Sequence, residues 1–346
     1  MVNDNGLTSL SCKEITASII ICTLDRPQEL ETCLETLKNH ETAVSYEIIV
    51  VDNNPGSNQT APVARKFGVR YITETRRGSS YARNAGIKVS RGQLIACLDD
   101  DVTVGPGWLD NLLKPFANPV VACVTGLVLP ANLETESARL FEEYGGLGRG
   151  LEGKRFDKNI FNKKLGIIPT WEIGATASAA FRASIFQNPG IGPFNEALGA
   201  GVATGCSEDT YLFYKILKAG YTCVYEPQAV VYHRHRQNLE ELKRQIFNYS
   251  KGHIAYHLLT LLNDRDWRVL PYLFFSLPRK MLIRFNQTRH KESSYPYKLL
   301  LLECRGFLNG PLALYRAWRN VKKLGQTTAR EIAQAKVTLP PAKTRV

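Results

Sequence analysis

Short apolar runs that end in polar residues set the rhythm of the first hundred positions. The run "SIIIC" (18–22), short, largely apolar and β-branched at its three isoleucines, predicts a strand buried on both faces. Pro27 then suits the first turn of a helix, and Leu30, Cys33, Leu34 and Leu37 recur at helical spacing. A second strand is expected in "YEIIVVDNN" (46–54), closed by a turn at Pro55 and Gly56. A short helix around 58–67, a third strand "VRYIT" (69–73), a helix over 79–89 and a fourth strand "QLIACLD" (93–99) continue the series. Strands alternating with helices imply right-handed crossovers and an α/β fold with a mostly parallel sheet. Ligands of such sheets sit beyond the carboxyl ends of the strands. Asp52 and Asp99–Asp101 fall at two of those ends, so one edge should carry both.

The pattern then loosens. The stretch "GGLGRGLEGKRFDKNIFNKK" (145–164) has weak periodicity and reads as a mobile loop or lid. In "SEDTYLFYKILKAG" (207–220), Ser207 is placed as N-cap, Glu208 and Asp209 fill the first turn, and Gly220 follows the end. Gly199, Gly201 and Gly205 precede that helix, a flexible approach that lets backbone come close to a ligand. "CVYEPQAVVYHRHR" (223–236) gives a last pair of strand-like pieces ending in histidines. Beyond residue 236 three long segments place Leu, Ile and Phe faces beside Lys and Arg at helical spacing. Residues 331–346 read as a disordered tail.

Charge changes this picture by dividing the chain. From Tyr232 onward there are 22 Lys and Arg against 7 Asp and Glu, a balance of +15; the preceding 231 residues hold 22 against 25. A boundary near residue 236 follows, with a domain over 15–236 and a basic helical region over 237–330. That region is either a small helical subdomain packed on the first or a membrane-surface helix pair that meets anionic lipid. Nucleic acid is a poorer partner, because no recognised binding module appears. The eight cysteines form no CxxC pair, which favours a reducing compartment over a disulfide framework. No cationic-then-apolar leader and no uncharged apolar stretch of spanning length occur, so a cytoplasmic location is expected, peripheral to the inner membrane face if the helices bind lipid.

The chemistry concentrates in "QLIACLDDDVTVGPGWL" (93–109). Three adjacent carboxylates repel one another, and either a solvated turn or a divalent cation would tolerate them there. Mg²⁺ or Mn²⁺ takes one or two carboxylates and completes its shell with phosphate oxygens and water, so a metal-bound di- or triphosphate is the expected ligand. No GxxxxGK[ST] loop is present and no GxGxxG follows the first strand, which argues against P-loop and dinucleotide readings. Arg76, Arg77 and Arg83 in "RRGSSYARNAG" either reach phosphate or base or form a solvated basic helix. Asp52 either caps the following turn or accepts the N–H of a pyrimidine. His233 and His235 are ordinary histidines or contacts to metal and phosphate. The helix dipole should hold Asp209 below the usual carboxylate range, ionised at neutral pH.

Taken in order, "SIIICTLDRP", "IIVVDNNP", "GSSYARNAGI", "LIACLDDDVTVGPGWL", "GPFNEALGAGVATGCSEDTYLFYKILKAGY" and "AVVYHRHR" resemble a family 2 glycosyltransferase with the GT-A fold over about residues 15–236. The resemblance implies that Thr23 and Asp52 line the nucleotide pocket and that Arg83 contacts base or phosphate. It implies that Asp99 faces the ribose and Asp101 the metal within a DxD motif, with Asp100 beside them on the donor. Asp209, next to Glu208, would be the catalytic base, and His233 or His235 would complete the metal–diphosphate contacts. Ser178 stands where the family would carry asparagine, and the triple acid leaves the DxD register open by one residue. The implied reaction is an inverting, Mn²⁺- or Mg²⁺-dependent transfer of sugar from a nucleotide donor, UDP-linked by expectation, to a glycan or lipid-linked glycan. Two rivals stand beside it. A nucleotidyltransferase would need a glycine-rich basic signature after the first strand, where "CTLDRPQEL" is found. A non-catalytic binding module would be expected to lack the acid at 209.

Overall fold

Alternation along the first strand decides the layering. In β1 (Ala17–Thr23), Ile19 and Ile21 face one core and Ile20 the other, so both faces of the sheet are covered. The computed structural model describes residues 15–162, 166–290 and 294–338. β1 pairs in parallel with β2 (Tyr46–Asp52) and β4 (Leu94–Asp99), and β2 with β3 (Arg70–Thr73). The helices α1 (Pro27–Lys38), α2 (Thr60–Phe67) and α3 (Ser79–Val89) make the crossovers. These elements begin and end within a residue or two of their expected positions. Thr23 stands opposite Asp52, and Cys22 opposite Asp99, so the carboxyl ends of three strands are level.

The second half turns the sheet mixed. It contains β5 (Val102–Val104), α4 (Trp108–Leu113), β6 (Val121–Pro130), α5 (Glu136–Tyr144), β7 (Lys154–Phe156), β8 (Ser178–Arg182), α6 (Glu208–Lys218) and β9 (Thr222–His233). The strand order is β3-β2-β1-β4-β8-β6-β9-β5, with β7 on β9; β8 runs antiparallel to both β4 and β6. Leu30, Leu34, Leu37, Trp108 and Leu112 fill one face, while Ile87, Leu212, Phe213 and Ile216 fill the other.

Several expectations are corrected here. The two pieces read in 223–236 are one strand, β9, whose pairing with β6 shifts register between Gly126 and Leu127. The segment read as a loop or lid contains β7, and Arg149 ties its start down by donating to the Trp171 and Gly148 carbonyls; 163–165 lie outside the described residues. Ser207 does not cap α6 with its side chain. Its backbone is left-handed, φ 75°.

The basic region forms α7 (Leu239–Asp264), α8 (Val269–Pro271), a π-helical turn at 272–276, α9 (Leu277–Arg289) and α10 (Tyr297–Leu324). It shares a core with the sheet domain: Leu198, Tyr211 and Tyr214 pack with Ala255, Tyr256, Leu259, Leu314 and Ala317. The start of the expected tail is helical, as α11 (Ala329–Thr338), which buries Ile332 in the sheet's second core and donates from Lys336 Nζ to Ser90; 339–346 lie outside the described residues. Every described cysteine is a free thiol. No described helix is long and apolar enough to cross a membrane.

Candidate active site

The acid triplet sits where β4 ends and β5 has not begun, so its three side chains must diverge. Asp100 turns inward, accepting from Thr23 Oγ1 at 2.6 Å and Arg26 Nη1 at 3.2 Å. Asp99 and Asp101 turn to the same side as His233 from the end of β9. One ligand atom from each of these three lies within 4.8 Å of the others. The open register is thereby resolved by side-chain direction: the outer acids share the cluster, and Asp100 and Thr23, expected on the donor, bind each other beneath it. Two carboxylates and an imidazole are a donor set that suits a hard or borderline divalent cation.

Cations already crowd Asp101. His233 Nε2 lies at 3.2 Å, Arg26 Nη1 at 2.9 Å and Arg236 Nη1 at 3.6 Å. Burial pushes its carboxyl up, but these neighbours outweigh burial and hold it well below the usual range. Asp100, buried and beside the Asp101 charge, goes the other way, to about 7.

Of the two histidines expected as alternatives, His233 is in the cluster and His235 is not. It stands behind His233, Nδ1 to Nδ1 at 2.9 Å, and its Nε2 meets Glu142 Oε1 at 2.7 Å. The chain of contacts selects a tautomer. Protonated, His233 donates Nε2–H to Asp101; in the neutral form, a His235 that donates to Glu142 from Nε2 accepts at Nδ1, so His233 donates from Nδ1 and its Nε2 lone pair points at the cluster. Glu142, on α5, was not legible in advance, and neither were Arg26 and Arg236. The only local signal was the alternating "HRHR" at the end of β9.

Arg83 links this cluster to the start of α6. Its guanidinium donates to Asp99 Oδ1 at 3.0 Å and Glu208 Oε1 at 2.6 Å, and Ser79 Oγ also donates to Glu208. Asp209 is placed differently. It accepts from the backbone N–H of Thr210 (2.7 Å) and Thr176 (3.3 Å), and no described Lys or Arg pairs with it. Burial and the Glu208 charge push its carboxyl up to about 6, against the fall expected from the helix dipole. Desolvation outweighs the dipole because the first turn of α6 is packed over by neighbouring segments rather than open to water.

The other expected residues are structural in part. Asp52 is buried at the end of β2, accepting from Tyr71 Oη at 2.8 Å and from the backbone of Asn54. Arg76 is committed to Glu74 and stacks over Tyr81, while Arg77 is exposed. Ser178 is buried and accepts from Trp108 Nε1 at 2.9 Å. The glycines before α6 serve protein–protein packing: a Cβ on Gly199 (φ 114°) would lie 2.5 Å from Ser79 Oγ, and one on Gly205 (φ 85°) 2.7 Å from Asn248 Cβ. They bring the approach to α6 against α3 and α7.

Comparison with known proteins supplies the rest. Residues 18–187 match the family described as glycosyl transferase family 2. Glycosyltransferase AglE of Haloferax volcanii is 26% identical over 255 residues, covering 72% of this chain and 76% of the relative. The glucosyl-dolichyl phosphate glucuronosyltransferase of the same organism is 32% identical over 123 residues, 33% of this chain and 38% of the relative. Among solved structures, the mannosyltransferase PcManGT from Pyrobaculum calidifontis, in complex with GDP-Man and Mn²⁺, aligns over 93% of this chain and 79% of its own, with TM-score 0.51 and 16% identity. At that identity the likeness concerns the fold, which is GT-A.

Proposed function

The protein is a glycosyltransferase carrying a family 2 domain of GT-A fold, and from that premise we propose that it transfers a sugar from a nucleotide diphosphate to an acceptor hydroxyl with inversion. The observation that carries this reading is the Asp99–Asp101–His233 cluster at the level carboxyl ends of the sheet. Asp99, Asp101 and His233 would hold the cation, Mn²⁺ or Mg²⁺, with His235 and Glu142 fixing the imidazole. A bound divalent cation supplies positive charge to a leaving diphosphate. Arg26 and Arg236, about a third exposed beside Asp101, would meet the same oxygens. Asp52 would face the base of a UDP donor, and Arg83 would hold Asp99 and Glu208 at a fixed separation.

Asp209 would act as general base. The acceptor oxygen bonds to the anomeric carbon as the bond to the diphosphate oxygen breaks, and Asp209 takes the hydroxyl proton. One displacement inverts the centre and needs no second nucleophile. A desolvated carboxylate with a raised pKa is a stronger base than a solvated one, which favours an enzyme over a binding module. A relative named for acting on glucosyl-dolichyl phosphate supports a lipid-linked glycan as acceptor. The basic helices support work on the cytoplasmic face of an anionic membrane.

The test is a thermal-shift titration with UDP-, GDP- and dTDP-sugars, with Mn²⁺ or with chelator. The matching donor should raise the melting temperature by several degrees with Mn²⁺ only, and Asp101→Ala should abolish that difference. An equal rise with chelator would place the donor elsewhere.

A further inference from the structure

Helix α10 meets α7 through small residues and carries a stripe of large apolar residues that faces water. Gly306, Gly310, Ala313 and Ala317 are on the buried side. A Cβ on Gly306 would lie 2.5 Å from Ser250 Cβ, and one on Gly310 2.4 Å from Ile254 Cβ, so α7 and α10 touch backbone to backbone. Leu301, Leu308, Leu312 and Tyr315 recur at helical spacing on the outer side, with Leu308 82% exposed. Arg305 and Arg319 fall on the same stripe. The preceding turn and helix present a similar surface, with Phe274 and Phe275 of the π-helical turn at 70% and 75% exposure and Leu282 of α9 at 64%. The two helices are joined by a Phe285–Tyr297 ring contact and by Arg284 on Glu303.

Charge selects what covers this surface. Glu303 is the sole acid among the described residues of 269–324, and it is buried on Arg284. Every other described charge on the face is Lys or Arg, so a second copy would bring like charges together. A bilayer with anionic headgroups offers phosphates to the cations and acyl chains to the leucines at matching depths. No described helix can cross it, so the pair would lie along it.

We propose that the π-helical turn, α9 and α10 lie in the headgroup layer of an anionic bilayer, with Leu308, Leu312 and Phe275 inserted and Arg305 and Arg319 on lipid phosphates. This deepens the membrane-surface reading above and rests on it, but it does not depend on which sugar is moved. It would also put α10 and α7 between the lipid and the segment before α6, since α7 carries Asn248 and Gly252 against Gly205 and Cys206.

Flotation of the full chain with vesicles of phosphatidylcholine alone, or mixed with phosphatidylglycerol, tests the assignment. The chain should float with the anionic vesicles and release as salt rises. Leu308→Glu with Leu312→Glu should weaken binding about tenfold or more. Arg305→Glu with Arg319→Glu should weaken it at low salt and flatten the salt dependence. Leu308→Gln, which adds no charge, keeps the test open should the double Glu variant unfold. Three results would overturn the proposal: no flotation with either vesicle, variants that float like wild type, or a wild-type dimer in sedimentation that Leu308→Glu dissociates. The donor-induced thermal shift is read on the same samples. Its absence from wild type would count against the donor reading and leave the lipid assignment standing.

Discussion

Asp99–Asp101 and Glu208–Asp209 are both runs of adjacent carboxylates, and Arg83 touches one member of each. Their surroundings nevertheless drive them apart. Asp101 is ringed by His233, Arg26 and Arg236, and its charge is stabilised before any ligand arrives. Asp209 has only neutral donors, two backbone N–H groups and the Thr210 hydroxyl, and a carboxylate beside it, so burial penalises its charged form. The first environment suits a group that must stay anionic to attract a cation. The second suits a group that must accept a proton. Acidic clusters in one edge therefore take their roles from partners and solvation, not from residue type.

The sharpest way to break this comparison is Asp209→Asn. If Asp209 is the proton acceptor, single-turnover transfer should fall about 10²–10⁴-fold while donor and Mn²⁺ affinity stay near wild type. Glu208→Gln should be milder on proton transfer. Near-normal turnover in the Asn variant would move the base elsewhere, and lost donor binding would make Asp209 a pocket residue.

The next largest effect belongs to Glu142→Gln. Glutamine keeps the size but binds His235 less strongly and does not select its tautomer. Mn²⁺ affinity, read by electron paramagnetic resonance without donor, should drop about 10–100-fold. An unchanged affinity would reduce the Glu142–His235–His233 chain to packing.

The smallest effect is in pH dependence, and it has a definite sign. Asp209 is raised from 3.8 to about 6, so the stability its neutral form contributes is full below about pH 4 and lost as pH rises through 6. Asparagine is neutral throughout and escapes that loss. Asp209→Asn should therefore melt a few degrees above wild type at pH 8 and level with it near pH 4. Wild-type transfer should decline below about pH 6, where the base takes up its proton. A variant less stable at pH 8 would contradict the desolvated carboxylate.

Much of the frame was legible because it is local. An apolar β-branched run such as 18–22 can be little else than a strand buried on both faces, and Pro27 can open a helix without losing a hydrogen bond. Alternation of such runs with helical spacing places Asp52 and Asp99 at one edge by chain geometry alone. The glycines before α6 were legible as a close approach but not as to what they approach. Their partners, Ser79 and Asn248, are 120 and 43 positions away from Gly199 and Gly205.

By itself the sequence determined the parallel strands, the edge that gathers the acids, and the charge asymmetry between the two parts of the chain. Each follows from neighbours in the chain, through periodicity and composition. Only the tertiary structure decided that Asp100 turns inward while Asp99 and Asp101 meet His233, that His235 stands behind, and that α10 turns its glycines to α7 while Leu301, Leu308 and Leu312 face water. It also reversed the expected shift at Asp209. Those outcomes depend on which distant segments remove water from a side chain and which supply its partner, and neither can be read from the residues beside it.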